Sequence, residues 1–525
     1  MTPDAPRHKL LLPAAGLSLA VAIVFGQILF HPFVNWDDAD LIQQNPLLRS
    51  FDVQTIKRIW SEPYLGLYTP LTYTLWSWVC AAWRIVSVEP VAPAWVFHAF
   101  SLALHILNTL LVLGIVRQVT GNQSASTLLA AAVFGLHPIQ VEAVAWASGT
   151  NNLTAAACGL AAILLYLRRT GRSSIAAALL FAAALMCKPT AVIVPLIILI
   201  IEIATNRPNV RRWAWVLGGW LVLAGAFSII TRAVQPASDV WLPPAWFRPV
   251  VALDTIVFYL FKIAFPIHYL VDYGRSPEWL FSSPARFLTP LVAAGIFAVL
   301  FFKSRKLFVA MLIFVAALLP TLGLQSFDFQ KYSTPADRYA YLAMLGAAIA
   351  IGWVVRTRRA CVLLLIVLSI LSIRSVMQVW LWRDTLVIAN HTASVNDQSL
   401  AAGKVIGATL AARGDDVGAT RAYLAALKIR DEGDVRFNLA NLLARQPETL
   451  PASLIHYQRA AELRPAEARI LNNWGVALVN LGRLEEAVDK FAAAVQIDPT
   501  TPEWSRNLDR VRQMLRPQPA GGQHN

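Results

Sequence analysis

The chain has 525 residues, 57% of them hydrophobic and only 14% charged, with a mean hydropathy of +0.52. That balance excludes an ordinary water-soluble globular protein and reads as an integral membrane protein. The net charge of +14 sits in short clusters between apolar stretches and is not pooled on one face, which argues against a nucleic-acid partner and fits cytoplasmic loops.

Arg7 and Lys9 precede an apolar segment, Leu10–Phe30, that is long enough to cross a bilayer at about 1.5 Å per residue. No small-residue cleavage site follows, so a retained first helix is expected. The next stretch, His31–Arg49 (HPFVNWDDADLIQQNPLLR), places Asp37 and Asp38 seven and eight residues past Phe30, with Asp40 close behind. A carboxylate pair at the mouth of a hydrophobic body is suited to taking a proton from an acceptor hydroxyl. The same Asp-Asp after a turn also suits a helix N-cap, and at this point both readings stand.

Six basic clusters punctuate the apolar segments: Arg7/Lys9, Arg117, Arg168-Arg169 with Arg172, Arg207 with Arg211-Arg212, Lys303 with Arg305-Lys306, and Arg356 with Arg358-Arg359. With all six in the cytoplasm, about eleven crossings are predicted, the N-terminus inside and the C-terminus outside. They lie near 11–30, 95–116, 124–136, 152–167, 173–187, 190–204, 212–232, 287–302, 307–323, 339–355 and 360–378. Residues 69–86 and 251–270 break the alternation and are predicted to be aromatic-rich interfacial helices on the outer face. Cys80, Cys158, Cys187 and Cys361 fall in apolar stretches without ligand spacing, so neither a disulfide nor a metal is expected, and no cofactor.

On this map the conspicuous polar residues gather outside: Asp37-Asp38, His137 with Glu142, Lys188, Asp272 and Arg275, Lys331, and the triplet Asp337-Arg338-Tyr339. Each alone has a plain reading as a snorkelling or interface-anchoring side chain. Charges at membrane depth are costly, however, and several converging on one face mark a candidate site.

Beyond residue 395 the chain turns soluble and Ala-rich. Tyr423, Tyr457 and Phe491 are spaced by 34 residues, as are Ala426, Ala460 and Ala494. The last unit carries Gly475, Leu478, Ala487, Phe491, Ala494 and Pro499 in tetratricopeptide order. Two earlier units depart from it, with Asp431 in place of the terminal proline and Gln446–Leu450 disturbing a turn. The expected organisation is all-α. A polytopic membrane helical bundle spans 1–385, with a first extracytoplasmic loop at 31–94. A TPR α-solenoid of about three repeats spans 395–515, closed by a helix near 502–515, and a disordered tail follows at 516–525.

The ordered set FVNWDD, Asn45-Pro46, YTPL (Tyr68–Leu71), HPIQVEAVAW, CKPTAVIVPL (Cys187–Leu196), FYLFKIAFPIHYLVDYG, LLPTLGLQSF, ADRYAYLAMLG and WLWRDTL resembles the GT-C superfamily of membrane glycosyltransferases. More narrowly, the chain resembles bacterial relatives of the transmembrane-and-TPR O-mannosyltransferases; its Lys188-Pro189 is the bacterial form, where eukaryotic members tend to carry an acid after the lysine. The resemblance implies transfer of mannose or another hexose from a polyprenyl-phosphate donor to a protein hydroxyl. It further implies an extracytoplasmic, inverting reaction that uses an acid of the first outer loop.

On that reading Asp37 is the expected general base, with Asp38 orienting the acceptor or sharing the proton. Adjacent residues of an extended chain point apart, so one of the two is the base. Arg338, Lys188 and Arg275 are expected at the donor phosphate, the arginine as a paired N–H donor and the lysine as a compact charge. His137, Glu142, Tyr68, Asp337 and Tyr339 are expected to shape the sugar and acceptor pocket. The interfacial stretches would border the lipid tail, and the repeats would offer a surface for a peptide or a protein partner. An Arg/Ala/Leu-rich, lysine-poor composition points to a bacterial inner membrane, with the repeats in the periplasm. The alternative from another class is a non-catalytic TPR scaffold for envelope assembly; a lipid or glycan acceptor is a variant within the enzyme class. A transporter would show internal symmetry, which the sequence lacks.

Overall fold

The computed structural model describes residues 8–122, 124–205, 217–234 and 241–516. Arg7, Arg207, Arg211 and Arg212 of the basic clusters, and residues 517–525 of the expected tail, lie outside them. The described residues are helical throughout and hold no strand, only an isolated bridge between Tyr64 and Leu67. Two compact units are formed, Met1–Val395 and Asn396–Asn525.

The first unit begins with α1 (His8–Phe25), which runs on through a 3-10 turn to Phe30. After α2 (Val53–Ser61) and α3 (Pro70–Trp83) come α4 (Ala94–Thr120), α5 (Ala125–Leu136), α6 (Val141–Ala145), α7 (Thr150–Leu167), α8 (Gly171–Cys187) and α9 (Val194–Ala204). Then follow α10 (Gly218–Val234), α11 (Arg248–Ala264), α12 (Pro277–Ser282), α13 (Ala285–Lys303), α14 (Arg305–Leu318), α15 (Met344–Val354), α16 (Arg358–Leu381) and α17 (Thr385–Val395).

Five helical stretches among the described residues are long and apolar enough to cross a membrane: Leu11–Phe30, Ala94–Thr120, Ala147–Leu167, Ala285–Lys303 and Arg358–Leu381. A sixth results if α5 and Pro138–Ala145, bent by 45°, make one span. The eleven expected crossings therefore do not all appear as full-length helices. The segments expected at 124–136, 173–187 and 190–204 are helices near those bounds but short, with Pro138 and Pro189 in the 3-10 turns that follow α5 and α8. Pro320, in a 3-10 turn, closes α14 before the expected residue 323. The crossing expected at 339–355 starts only at Met344, since Asp337–Ala340 is a 3-10 turn.

Small residues let the core helices approach, as suits helices packing in lipid. A Cβ on Gly346 of α15 would stand 2.6 Å from the Ala310 carbonyl oxygen of α14. The core combines α1, α4, α5, α7, α14 and α15, whereas α13 and much of α16 keep their apolar side chains exposed, as lipid-facing helices do.

The second unit stacks three helix pairs and a final helix. These are α18 (Leu400–Ala412) with α19 (Asp416–Ile429), α20 (Gly433–Leu443) with α21 (Leu450–Leu463), α22 (Ala468–Asn480) with α23 (Leu484–Ile497), and α24 (Pro502–Leu515). Within the last pair a Cβ on Gly475 would lie 2.8 Å from the Phe491 ring, so this glycine is what admits the aromatic between the two helices.

Candidate functional site

A small cavity of about 50 Å³ opens where α7, the α8–α9 turn, the end of α14 and the Asp337–Leu342 segment meet. One side is apolar, with Ala155, Ala191, Val194 and Pro320; the polar side holds Asn152, Lys188, Arg338 and Tyr339.

Lys188 reaches this wall because of its neighbour. A residue before proline is kept from the helical region, and Lys188 adopts an extended φ of −158° and ψ of 126°, ending α8. The Thr72 hydroxyl of α3 donates to the Cys187 carbonyl at 2.9 Å, satisfying an end of α8 and fastening α3 beside the lysine. Lys188 Nζ donates to Asn152 Oδ1 in the first turn of α7. Burial, with the Arg338 charge adding to it, pulls the lysine down to about 7.

Arg338 is fixed by Glu142 of α6, 196 residues earlier. One carboxylate oxygen accepts the Arg338 backbone N–H at 2.8 Å and the other accepts its guanidinium, so a single acid holds both the turn and the side chain. The guanidinium also donates to the Tyr339 hydroxyl at 3.3 Å and lies over the rings of Phe329, Tyr339 and Trp146, with centroids at 4.3, 4.7 and 5.3 Å. Burial opposes its charge, but Tyr339, Glu142 and Asp37 outweigh it and raise the pKa above the ordinary arginine value.

The two acids of the first loop face apart. Asp38 is fully buried; one oxygen accepts the Val34 N–H at 3.0 Å and the other the Ser148 N–H at 2.8 Å. It joins the loop to the start of α7; neither it nor Asp37 lines the cavity. Asp37 is exposed, and its charge reaches Arg338 and Tyr339. The loop is held from the other side by the Asn35 N–H donating to the Thr385 hydroxyl at 2.9 Å.

Burial raises the Asp38 carboxyl to about 7 against the pull of its two N–H donors. A carboxyl with a raised folded pKa gives stability that is present at low pH and lost as pH rises toward 7. The melting temperature of wild type should therefore exceed that of Asp38→Asn by a margin that shrinks between pH 5 and pH 8. Thermal-shift curves on the purified chain check this; a margin that is flat or grows with pH contradicts it.

Asp337 is buried and accepts from the Tyr273 hydroxyl at 2.7 Å; burial, with Glu142 adding to it, lifts its pKa well above the usual carboxylate range. Tyr339 lines the cavity. Of the other expected site residues only Lys188 and Arg338 line it with Tyr339; Asp37, Glu142, Asp337, Arg275, Tyr68 and His137 do not. Arg275 is taken by Asp254 of α11, with N···O distances of 2.5 and 3.2 Å. Tyr68 donates to the Trp60 carbonyl at 2.9 Å. His137 is buried in the bend before α6, where its Nδ1 accepts the Ile139 N–H at 3.2 Å and its Nε2–H donates to the Ile263 carbonyl at 3.2 Å. Asp272 accepts the Gly274 N–H at 2.8 Å and Lys331 pairs with Asp328 at 3.2 Å. Among the described residues no group of three His, Cys, Asp or Glu side chains is placed to hold a metal.

Sequence reasoning missed Asn152 and the network behind Tyr341. The Tyr341 hydroxyl accepts from Asn108 Nδ2 at 3.0 Å and donates to His105 Nδ1 at 2.8 Å, while His105 Nε2–H donates to the Gly135 carbonyl at 3.0 Å. These bonds fix the cavity wall that Tyr341 forms, although Asn108 Oδ1 is buried without a hydrogen-bond partner among the described residues. The signal was available: His105 and Asn108 are polar residues three apart in an apolar helix, hence on one face.

Comparison with known proteins adds two findings. The tetratricopeptide-repeat family model matches residues 468–501. The chain carries a tetratricopeptide repeat. Over 202 residues it is 30% identical to the Protein O-mannosyl-transferase Tmtc2 of Drosophila melanogaster, a match covering 34% of this chain and 21% of that one. The chain thus spans about a fifth of the length of that relative. Among solved structures, YrrB, a TPR protein with an unusual peptide-binding site, is 23% identical over 25% of this chain and 67% of its own. MamA is 19% identical over 25% of this chain and 75% of its own. Both have a TM-score of 0.23, and likenesses that distant carry no weight for fold or function.

Proposed function

We propose that the chain is a membrane glycosyltransferase. It moves a hexose from a polyprenyl-phosphate donor to a protein hydroxyl on the extracytoplasmic face, with the repeats serving a peptide acceptor or a protein partner. The observation that carries this reading is the cavity in which two partly buried cations, Lys188 and Arg338, stand among apolar side chains, with the charge of Asp37 reaching the arginine. A phosphate joined to an isoprenoid has those two characters, an anionic head and an apolar tail. The similarity to an O-mannosyl-transferase supports the same class.

In the proposed step the acceptor hydroxyl gives its proton to Asp37 as its oxygen bonds to the sugar C1 from the face opposite the phosphate. The C1–O bond to phosphate breaks, its electron pair stays on that oxygen, and polyprenyl phosphate leaves. Lys188 is the first phosphate partner, because its hydrogen bond runs to the neutral Asn152, whereas the charge of Arg338 is matched by Glu142. Arg338 contributes from the wall, through the half of the guanidinium that faces Tyr339.

A lysine near 7 makes donor binding pH-dependent. Above pH 7 the free site loses its proton and must regain it to bind phosphate, so Kd rises by up to about tenfold per pH unit until the bound-state pKa is reached. Titration calorimetry with a short-chain polyprenyl-phosphate mannose between pH 6 and pH 9 is expected to show that rise in wild type and to lose most of it in Lys188→Arg. A flat wild-type profile would remove Lys188 from the phosphate.

A further inference from the structure

A second cavity, of about 370 Å³, lies on the segment between α1 and α4, and Phe33, Gln43, Arg49, Trp83, Glu89 and Pro90 stand on its wall. Its size falls within the roughly 300–1,000 Å³ of small-molecule sites. The cavity is preformed. The Arg84 guanidinium donates to the Leu48 carbonyl at 2.9 Å and to the Pro90 carbonyl at 2.7 Å, tying the rim that carries Arg49 to the opposite rim. The two aromatic walls are held edge-on by neighbours, Phe33 by Phe97 at 5.8 Å and Trp83 by Trp95 at 5.9 Å between centroids.

The chemistry of the lining narrows the occupant. Arg49 and Glu89 supply one charge of each sign and Gln43 a neutral amide, so the site has no net field for an ion. Guanidinium, carboxylate and amide are planar groups that together donate and accept along their edges. Phe33 and Trp83 add apolar faces beside them. Trp83 Nε1 is buried without a hydrogen-bond partner among the described residues, a polar atom on a ring that lines the cavity. Aromatic side chains beside donors and acceptors of no net charge suit a neutral pyranose, whose C–H face stacks on a ring while its hydroxyls radiate in the plane.

We infer that this cavity is a binding site for a neutral saccharide, separate from the cavity of Lys188 and Arg338. Phe33 is four residues before Asp37, a span of at most about 14 Å of chain, so the bound sugar lies beside the loop that carries the first acid. The claim goes beyond the transferase reading and holds without it.

The test is saturation-transfer NMR on the full chain in lipid nanodiscs, since maltoside detergents carry the ligand chemistry themselves. The probes are methyl α-D-mannopyranoside and methyl β-D-glucopyranoside. Saturable binding of at least one glycoside is expected, weakened about fivefold or more by Gln43→Ala and by Glu89→Ala, each the loss of a hydrogen-bonding group. Both residues are exposed, so wild-type melting temperatures are expected for both variants. Lys188→Met should leave glycoside binding intact. No saturable binding, binding indifferent to Gln43→Ala and Glu89→Ala, or binding lost only in Lys188→Met would each overturn the proposal. So would a proline-rich peptide that binds in place of both glycosides and is weakened by the same variants.

Discussion

Glu142→Gln is expected to destabilise the chain by about 3 kcal/mol. The acid is 3% exposed and its partner guanidinium 10%, so the substitution leaves a buried positive charge without its counter-ion. The glutamine carbonyl still accepts the Arg338 backbone N–H, but its amide turns donors toward a group that has only donors. The Asp337–Ala340 turn, which this acid holds, loosens at the same time. Arg338→Met in the Glu142→Gln background removes the stranded charge and should recover part of the loss, a coupling that unrelated packing damage would not produce. Thermal unfolding of the purified chain in nanodiscs reads both effects. An unchanged melting temperature in Glu142→Gln would contradict the pairing.

Asp37→Asn is expected to leave stability near wild type and to cut sugar transfer by roughly 10²- to 10⁴-fold, the usual contribution of a positioned general base. Asparagine keeps the size of the side chain and cannot take a proton. Asp37 is exposed, and removing its charge takes from Arg338 the least of the attractions that raise the arginine pKa. The neighbouring substitution should do the reverse. Asp38→Asn turns an amide donor toward one of two backbone N–H groups, Val34 or Ser148, and so costs about 1–3 kcal/mol of stability. Transfer per folded molecule should then be far less affected than in Asp37→Asn. Rates and melting temperatures measured side by side check the contrast, and equal rate losses in the two variants would contradict it.

What was legible in the sequence is what local pattern encodes. The all-helical class follows from apolar runs with helical lengths. The repeat follows from aromatics and alanines at a spacing of 34, since only a repeated helix pair needs the same joint filled at the same interval. The extended backbone at Lys188 follows from Pro189. Side-chain partners across the chain were not legible. Glu142 and Arg338 are 196 residues apart and nothing local to either names the other. Arg275 looks as available as Arg338 in sequence, yet a helical turn of α11 carries Asp254 to it. The expectation that Asp37 and Asp38 point apart rested on an extended chain, whereas Asp38 has a right-handed helical backbone; that it is the inward acid depends on the N–H of Ser148, supplied by another segment. The helix expected to reach residue 323 ends at Leu318 before Pro320, because hydropathy counts side chains and is blind to a missing backbone donor.

The central claim is sugar transfer from a polyprenyl-phosphate donor, and it is tested most directly by turnover in nanodiscs holding the full chain. Radiolabelled polyprenyl-phosphate mannose, then the glucose and N-acetylglucosamine counterparts, would be supplied with envelope proteins, and both protein-bound label and free polyprenyl phosphate measured. The account predicts that one hexose donor yields the two products in equal amounts and that neither forms with Asp37→Asn. Folded wild-type protein that turns over none of the donors, while its repeats retain an envelope protein, would contradict the transferase and leave a scaffold in its place.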